Sequence, residues 1–334
     1  MGHDAIDATE AWNAGYRGKG VRVAVLDTGF DLKHPDLLPN INLDLSMDFT
    51  GEGLQYTLDD VFSHGSHTAG TIAAADNGFG TIGVAPEAEL VLLKVLNDEG
   101  IGATFDILNA IIYAAVNEVD LINMSFGSVG KRRGEPGFYT AREVAELVSL
   151  YTRVTNFAYQ QGTTMIASAG NEATNYNHTA DLGHVPSQLP NVISISATGP
   201  NGWVLNPNTN LDLPAFYTNY GTKVIDFAAP GGTVDFDLEA SGTLATLAGL
   251  EVPAYVLDFV FSTGNQDYYW SIGTSMAAPH AVGVAALIIG KNGGSMHPAQ
   301  VKAALKASAD DLGKPGKDDF YGSGRVNAFR AVSN

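Results

Sequence analysis

The sequence of 334 residues contains no cysteine, and it is poor in basic residues and in long apolar runs. The absence of cysteine excludes disulfide bonds and leaves the redox compartment undetermined. No apolar run reaches the roughly 18 residues that span a bilayer, so we expect no membrane-spanning segment. The 18 basic residues are outnumbered by 36 acidic ones, which gives a formal net charge of −18. That charge argues against nucleic acid or an anionic membrane surface as a partner.

Hydrophobic residues make up 45% of the chain, enough for a large buried core, and short apolar runs alternate with segments of helical periodicity. The runs that predict strands are 21–26, 90–96, 121–127, 164–169, 192–197 and 223–228. The segments that predict helices are 64–75, 104–117, 140–161, 281–289 and 298–309, and the charged residues 131–137 predict a loop. This alternation predicts an α/β fold with a mainly parallel central sheet flanked by helices.

The stretch 273–280, Gly-Thr-Ser-Met-Ala-Ala-Pro-His, leads into an apolar helix that we expect to end at Gly290. Ser275 at the start of this helix lies beside backbone N–H groups that have no helical acceptor. These groups would stabilise a negative charge that develops there. Taken alone, Ser275 is more simply explained as the residue that caps the helix.

Three further polar residues follow predicted strands or open a helix. Asp27 follows the first strand, where binding groups collect in open parallel sheets, and His64 opens the first helix. A serine hydroxyl needs a base to take its proton, and the base needs a carboxylate to orient it, so Asp27, His64 and Ser275 are typical of a nucleophilic triad. Asn171 could join the Ser275 N–H in binding an oxyanion. His64 and His67 could instead share a zinc ion, although no His-Glu-x-x-His pattern is present.

Four motifs in a fixed order carry a family resemblance. They are Asp27-Thr28-Gly29, His64-Gly65-Ser66-His67, Ala169-Gly170-Asn171 and Gly273-Thr274-Ser275-Met276-Ala277. Each is weak evidence alone, but all four in strand and helix contexts that fit are specific. The chain thus resembles the subtilisin family of serine proteases from about residue 11 to 330. The resemblance implies a three-layer subtilisin-like fold.

The resemblance assigns catalytic roles to four residues. It implies that Ser275 is the nucleophile that forms an acyl-enzyme and that His64 is the general base. It implies that Asp27 orients the base and that Asn171 donates to the oxyanion. The implied activity is that of a serine endopeptidase acting on polypeptides.

The resemblance also implies where a substrate would bind. Two segments, Gly100-Ile101-Gly102 and Ser125-Phe126-Gly127, are expected to hold an extended substrate between them by backbone hydrogen bonds, with little demand on sequence. The small residues Ser168, Ala169 and Gly170 are expected to line the main specificity pocket, which favours a broad, apolar preference. A preference for basic residues is left open by Glu172, Asp98 and Glu99. The Val185–Pro186 peptide bond beside this pocket is expected to be cis.

A short glycine-rich loop after the first helix resembles the calcium loop of the family. The expected structural calcium ion would be bound by the carboxylate of Asp36, the side chain of Asn77 and the carbonyl oxygens of Ala75, Phe79 and Thr81. A plain hydrogen-bonded turn is the alternative.

The triad residues lie far apart in sequence and must converge, so we expect a single domain over residues 1–334. Two segments, 128–150 and 232–272, are longer than is usual in the family. They could shape subsites, cover the site or hold a partner. We further expect a secreted monomer in its mature form, without signal peptide or pro-segment, so that a pro-segment or inhibitor could be a separate partner.

Two other classes of function are left open by the sequence. One is a protein-binding module on a protease fold that has lost activity, which a serine-directed phosphonate would fail to label. The other is a metallohydrolase that uses His64 and His67, which phenanthroline would inhibit and a phosphonate would not.

Overall fold

The computed structural model describes residues 1–333 of the chain. Its strands are β1 (Arg22–Asp27), β2 (Met47–Asp48), β3 (Glu89–Lys94), β4 (Leu121–Met124), β5 (Ser128–Lys131), β6 (Gly134–Glu135), β7 (Tyr139–Thr140), β8 (Thr164–Ser168), β9 (Leu182–Val185), β10 (Val192–Gly199), β11 (Leu213–Pro214), β12 (Phe227–Pro230), β13 (Leu244–Leu247), β14 (Leu250–Pro253), β15 (Val260–Thr263) and β16 (Tyr268–Ser271). Its helices are α1 (Gly2–Ala5), α2 (Ala8–Asn13), α3 (His64–Ala73), α4 (Thr104–Val116), α5 (Ala141–Gln161), α6 (Phe236–Ser241), α7 (Thr274–Lys291), α8 (Pro298–Ser308) and α9 (Ala328–Ser333).

Eight of the strands form one sheet in the order β11-β10-β8-β4-β1-β3-β2, with β12 also paired to β10. Its strand pairs are parallel except for β10 with β11. A parallel sheet is covered by helices on both faces, which explains why β4, β8 and β10 are buried along their whole length. The predicted α/β fold with a mainly parallel central sheet is confirmed.

Side chains of the central strands alternate between two cores, as the period of a strand requires. In β1, Val23 and Val25 join a core with α3, α7, α8 and α9, whereas Ala24 and Leu26 join a second core with α4 and α5. Helix α7 is apolar on all sides and nearly completely buried because it runs through the first of these cores. The layers are therefore helix, sheet and helix.

Helix α7 differs from the prediction at both ends. It begins at Thr274 with Gly273 as its N-cap, so Ser275 lies within the first turn and is not the capping residue. It also continues past Gly290. A Cβ on Gly290 would lie 3.3 Å from the Cα of Gly18, so this glycine permits close packing of two backbones and does not end the helix.

Two local predictions were wrong, one because a distant partner decides the backbone and one because a local turn precedes the strand. Residues 131–137, predicted as a loop, contain the end of β5 and all of β6; β5 pairs with β9, which lies about 50 residues later in the chain. Residues 223–228, predicted as a strand, begin with a turn in which Val224 and Ile225 donate to the carbonyl of Gly221. The strand there starts only at Phe227.

The predicted capping box at the start of α5 is confirmed. The Thr140 hydroxyl accepts from the Glu143 N–H at 3.2 Å, and the Glu143 carboxylate accepts from the Thr140 N–H at 2.7 Å. The first part of this long helix and the short strands β5, β6 and β7 make up the segment 128–150. In residues 1–333 no helix combines the length and apolar character needed to cross a bilayer.

The segment 232–272 folds into α6 and two hairpins, β13–β14 and β15–β16. Strand β15 is attached to α3 by two side-chain hydroxyls that donate to the helix backbone. The Ser262 hydroxyl donates to the carbonyl of His67 at 2.8 Å, and the Thr263 hydroxyl donates to that of Ser66 at 2.7 Å. The second hairpin therefore supports the helix that carries His64.

Candidate active site

Asp27 is the last residue of β1 and is completely buried. Its Oδ1 accepts from the Thr28 N–H at 2.8 Å, and its Oδ2 accepts from the Thr68 hydroxyl at 3.1 Å. The Nδ1 of His64 lies 2.6 Å from the same Oδ1 and donates to it, because an ionised carboxylate can only accept. Three donors thus fix the carboxylate in one orientation against the imidazole.

His64 is the first residue of α3, and the hydroxyl of the N-cap Ser63 accepts from the Ser66 N–H. Burial lowers the pKa of His64, but the charge of Asp27 and its hydrogen bond outweigh that effect and raise the pKa above the ordinary value of 6.5. Because Asp27 keeps the proton on Nδ1, Nε2 of the neutral ring is the atom that can accept a proton. The side chain is 33% exposed, so the ring is open to the cleft.

Ser275 lies in the first turn of α7 and is tied to Ser125 by two hydrogen bonds. The Ser275 hydroxyl donates to the Ser125 carbonyl at 2.9 Å, and the Ser125 hydroxyl donates to the Ser275 carbonyl at 2.8 Å. In an uninterrupted helix the Ser275 carbonyl would accept from the N–H four residues later, but Pro279 stands there and has none. Ser125 therefore supplies the missing donor.

The pairing of β1 with β4 brings these groups to one edge of the sheet. Leu26 lies opposite Met124 in this parallel pair, so the residues that follow them, Asp27 and Ser125, emerge side by side. Asp27 binds His64, and Ser125 binds Ser275. Within residues 1–333 the Ser275 hydroxyl bonds to Ser125 rather than to His64. Catalytic hydrogen bonds often tighten only once substrate is bound, so this geometry does not exclude a triad.

Asn171 follows β8 and is oriented by Thr274, the residue before Ser275. Its Oδ1 accepts from the Thr274 N–H at 2.9 Å and from the Thr274 hydroxyl at 2.8 Å, which turns its Nδ2 away from Thr274. A Cβ built on Gly273 would lie 3.6 Å from that Nδ2 and 3.5 Å from the backbone N of Ser275. Two donors thus border the same small space, and one oxygen placed there could accept from both.

His67 is one helical turn from His64 but has a different environment. It is buried, its Nε2 lies 3.2 Å from the carbonyl of Val260, and its ring packs on Tyr269 with centroids 4.6 Å apart. Burial lowers the pKa of His67 to about 3, so the ring is neutral. In residues 1–333 no group of three His, Cys, Asp or Glu could hold a metal ion. The two histidines therefore do not form the start of a zinc site, and His67 is a packed core residue.

Of the two expected substrate-binding segments, the one that contains Ser125 adjoins Ser275 through the two hydrogen bonds between these residues. Ser125, Phe126 and Gly127 connect β4 to β5, and Gly100, Ile101 and Gly102 precede α4 with the side chain of Ile101 71% exposed. The expected pocket residues Ser168, Ala169 and Gly170 are all buried at the end of β8. The predicted cis peptide bond at Val185–Pro186 is present.

Both carboxylate oxygens of Asp98 have hydrogen-bond partners within the protein. It pairs with the buried Lys94 at 2.8 Å, and it accepts from the Thr57 hydroxyl at 2.7 Å and from the Gly29 N–H at 3.2 Å. Its charge is therefore balanced by Lys94 within the protein, which removes one reason to expect a preference for basic residues.

Asp36 is completely buried and meets the glycine-rich loop of 76–81. Its Oδ1 accepts from the Asn77 amide at 3.0 Å, and its Oδ2 accepts from the Thr81 N–H and from the Tyr268 hydroxyl, each at 2.9 Å. These donors are neutral, and within residues 1–333 Asp36 forms no ion pair. Buried charges are ordinarily paired or bound to metals, so a buried carboxylate without an ion pair is a group that calcium could bind. In this structure the Asn77 nitrogen faces Asp36, and the Asn77 oxygen accepts from the Phe79 N–H at 3.1 Å, so the Asn77 side chain would have to turn to become a ligand.

Comparison with known proteins decides the family. The model of the subtilase family matches residues 18–324, which is most of the chain. The chain belongs to the subtilase family. This subtilase is 33% identical to the subtilisin of Bacillus pumilus over 335 positions, which cover 99% of this chain and 98% of that protein. It is 33% identical over 287 positions to the intracellular serine protease of Paenibacillus polymyxa, covering 86% of this chain and 72% of that one.

Comparison with solved structures agrees with the assignment to the subtilase family. The crystal structure of a lanthipeptide protease matches this subtilase with a TM-score of 0.77 and 28% identity, over 99% of this chain and 92% of the other. Family and relatives make the protein a serine endopeptidase, a hydrolase that acts on polypeptides.

Some residues of the subtilase site escaped the sequence analysis. Thr274, which orients Asn171, could have been found, since it is a hydrogen-bonding residue directly before the serine. His184 could not. Its imidazole lies between Gly127 and Gly170, and neither spacing nor composition relates these three positions.

Proposed function

We propose that this subtilase cleaves internal peptide bonds with Ser275 as the nucleophile, His64 as the general base and Asp27 as the carboxylate that orients the base. One observation carries the proposal: His64 Nδ1 lies 2.6 Å from the buried carboxylate of Asp27, so the other ring nitrogen is left to take a proton. Asp27 also stabilises the imidazolium that forms when His64 takes that proton.

In the first half of the reaction, the Ser275 oxygen bonds to the carbonyl carbon of the substrate while its proton passes to Nε2 of His64. The carbonyl oxygen becomes an oxyanion that accepts from the Ser275 N–H and the Asn171 amide. The amide bond then breaks, and His64 returns the proton to the leaving nitrogen. The products are a free amine and an ester of Ser275.

In the second half, water attacks the ester carbon and His64 takes one of its protons. The same two donors hold the oxyanion again. When the bond to Ser275 breaks, His64 protonates the serine oxygen, which restores the starting protonation and releases a carboxylic acid. His64 therefore carries one proton at a time: the serine proton leaves with the amine product, and a proton from water replaces it on Ser275.

Substrate binding in the proposal uses the backbone of Gly100-Ile101-Gly102 and Ser125-Phe126-Gly127. An extended peptide between these two segments would bind mainly through main-chain hydrogen bonds, which gives a broad sequence tolerance. The lining by Ser168, Ala169 and Gly170 contains no charged side chain, which supports an apolar preference there.

A phosphonate that reacts with activated serines tests the triad. We expect it to add one equivalent to Ser275, identified by mass spectrometry of the peptide, and to abolish hydrolysis of a denatured protein. Ser275→Ala serves as the control and should neither label nor cleave, since loss of a triad nucleophile costs about 10⁶-fold in the subtilisin for which it was established. A Ser275→Ala variant with more than about a hundredth of wild-type turnover would overturn the assignment.

The proposal includes a structural calcium ion at the loop after α3. The carboxylate of Asp36, the side-chain oxygen of Asn77 and the carbonyls of Ala75, Phe79 and Thr81 would hold it. Together these offer six oxygens, the lower end of what calcium accepts. The ion would supply the positive charge that the buried Asp36 has no side chain to provide.

We infer one catalytic domain and a monomer that is secreted and acts without nucleic acid or membrane partners, in keeping with the net charge of −18. A pro-segment or inhibitor would occupy the same cleft as the substrate. Fractionation of producing cells tests the location, and it matters because one relative is named an intracellular protease. Sedimentation tests the oligomeric state.

A further inference from the structure

The imidazole of His184 fills the gap between the two segments that flank the candidate nucleophile. A Cβ built on Gly127 would lie 2.2 Å from Cε1 of His184, and a Cβ built on Gly170 would lie 2.8 Å from its Nε2. Real Cβ atoms do not approach other atoms so closely, so the ring packs directly against both glycine backbones. The gap is thus occupied by a side chain of the protein itself.

His184 is held firmly in this position. It lies in β9, opposite Val129 of β5, and its carbonyl accepts from the Gln188 N–H at 3.0 Å. Its Nδ1 lies 2.7 Å from the Ser187 hydroxyl. The residue is only 2% exposed. Backbone pairing and a side-chain hydrogen bond therefore fix the ring, and moving it would break one of them.

On the side of the ring that faces residues 168–170, little open space is left, whereas a cavity of about 370 Å³ that His184 also lines lies toward β5 and α5. Ser168 is 2% exposed, Ala169 is 3% exposed, and Gly170 is buried as well. Residues that lined an open pocket would be accessible to water. Burial lowers the pKa of His184 against the opposing effect of Glu172, so the ring is neutral and offers a bulky surface rather than a charge.

The position of the gap decides which substrate side chain would enter it. In the proposed reaction the attacked carbonyl carbon lies at Ser275, and its oxygen lies at the donors of Asn171 and Ser275. The residue that contributes this carbonyl has its Cα one bond away, so its side chain projects into the nearest opening. That opening lies between Ser125-Phe126-Gly127 and Ser168-Ala169-Gly170, where the imidazole of His184 already lies.

We propose that His184 limits the size of the substrate residue that precedes the scissile bond. The enzyme accepts alanine, serine and glycine at this position and discriminates against leucine, phenylalanine and tyrosine. This inference rests on the proposed function, and it narrows the apolar preference to small side chains. A large side chain could enter only by displacing the ring, at the cost of the contacts that hold it.

Peptide anilides that differ only in the residue before the scissile bond test the proposal. For the wild-type enzyme we expect kcat/KM to be at least about tenfold higher with alanine than with phenylalanine, in the range that a tight pocket achieves for steric differences. His184→Gly should raise kcat/KM for phenylalanine and leucine by about tenfold or more relative to kcat/KM for alanine. His178→Gly, an exposed histidine in the same region, is the matched control and should change neither.

The outcomes separate the inference from the proposed function. Absence of phosphonate labelling and of all hydrolysis would refute the proposed function. Normal labelling with a wild-type preference for phenylalanine or leucine would overturn the inference, and so would a folded His184→Gly enzyme with an unchanged ratio of the two rates. If His184→Gly unfolds, His184→Ala provides the same comparison, and the wild-type profile decides the size limit without any variant.

Discussion

Ser125 and Ser275 bind each other through two hydrogen bonds, each hydroxyl donating to the carbonyl of the other residue at 2.8 and 2.9 Å. The arrangement exists because Pro279 removes the helical donor to the Ser275 carbonyl. It joins the end of a central strand to the first turn of the buried helix α7. The position of the candidate nucleophile is therefore set by a residue that does not belong to the triad.

Removal of the Ser125 hydroxyl should weaken this connection between the end of β4 and the first turn of α7. In Ser125→Ala the Ser275 carbonyl loses its donor, and Asn123, whose Nδ2 donates to Ser125 Oγ at 3.0 Å, loses an acceptor. Leaving buried polar groups unpaired costs about 1–3 kcal/mol. We expect a lower denaturant midpoint for the phosphonate-inhibited enzyme, and a fall in kcat that exceeds the change in KM. Ser128→Ala, an exposed serine three residues on, should behave as wild type. Equal denaturant midpoints for the wild type, Ser125→Ala and Ser128→Ala would show that the hydrogen bonds of the Ser125 hydroxyl do not contribute to stability.

Asn171→Ala should lower kcat with little change in KM, because its amide is needed only once the carbonyl oxygen becomes an oxyanion. The expected loss is about 10²–10³-fold, a magnitude carried over from the oxyanion-hole asparagine of a subtilisin. Steady-state kinetics on one peptide anilide measures it.

Thr274→Ser provides the control for Asn171. It keeps the hydroxyl that holds the Asn171 Oδ1, so kcat should fall far less than in Asn171→Ala. A raised KM with unchanged kcat in Asn171→Ala would instead assign the residue to ground-state binding.

The elements that the sequence predicted well are those fixed by local signals. Asp27 follows a short apolar run and does end a central strand, and Thr140 with Glu143 does cap α5. The family motifs are also local, and each spans only a few residues. Such signals do not require knowledge of which strand lies next to which, so they survive in a single sequence.

The features that could not be predicted depend on contacts between distant parts of the chain. Strand β5 pairs with β9, and that pairing brings His184 against Gly127. The sequence showed the small residues of the expected pocket but not the ring that fills it. The hairpin β15–β16 lies in the segment 232–272, for which the sequence indicated only an unusual length, and its attachment to α3 through Ser262 is equally non-local.

The acidic side of the pH profile should report the raised pKa of His64. The base must be neutral to accept a proton, and the charge of Asp27 favours the protonated ring, so activity is lost as pH falls through a pKa above 6.5. In Asp27→Asn the charge is gone while burial still lowers the pKa of His64, so the midpoint of kcat/KM should move to lower pH. The plateau should fall by about 10⁴-fold, as in the established triad example.

Asp59→Asn is the matched control for this profile. Asp59 is an exposed acid only five residues before His64, so its loss changes the net charge equally without touching the ring. Its midpoint should stay at the wild-type value. A midpoint that moved upward in Asp27→Asn, or equally in both variants, would contradict the coupling between Asp27 and His64.

Calcium should stabilise the folded protein through Asp36. An ion bound only in the native state adds stability that grows with its free concentration, about 2.7 kcal/mol at one hundred times the dissociation constant. We expect the melting temperature of Ser275→Ala, chosen to prevent self-cleavage, to rise from EGTA to millimolar calcium. In the Ser275→Ala background, Asp36→Asn should abolish the rise, because the buried carboxylate is the only charged ligand of the proposed set.

Two further variants serve as controls for the effect of calcium on the melting temperature. Asp44→Asn, an exposed aspartate in the loop before β2, should keep the full calcium-dependent rise. Tyr268→Phe removes a hydroxyl that donates to Asp36 at 2.9 Å but leaves every proposed ligand in place, so it should melt lower in EGTA and still respond to calcium. If calcium leaves the melting temperature of Ser275→Ala unchanged and elemental analysis finds no bound ion, then Asn77, Thr81 and Tyr268 satisfy Asp36 by themselves. The loop would then be held by hydrogen bonds alone.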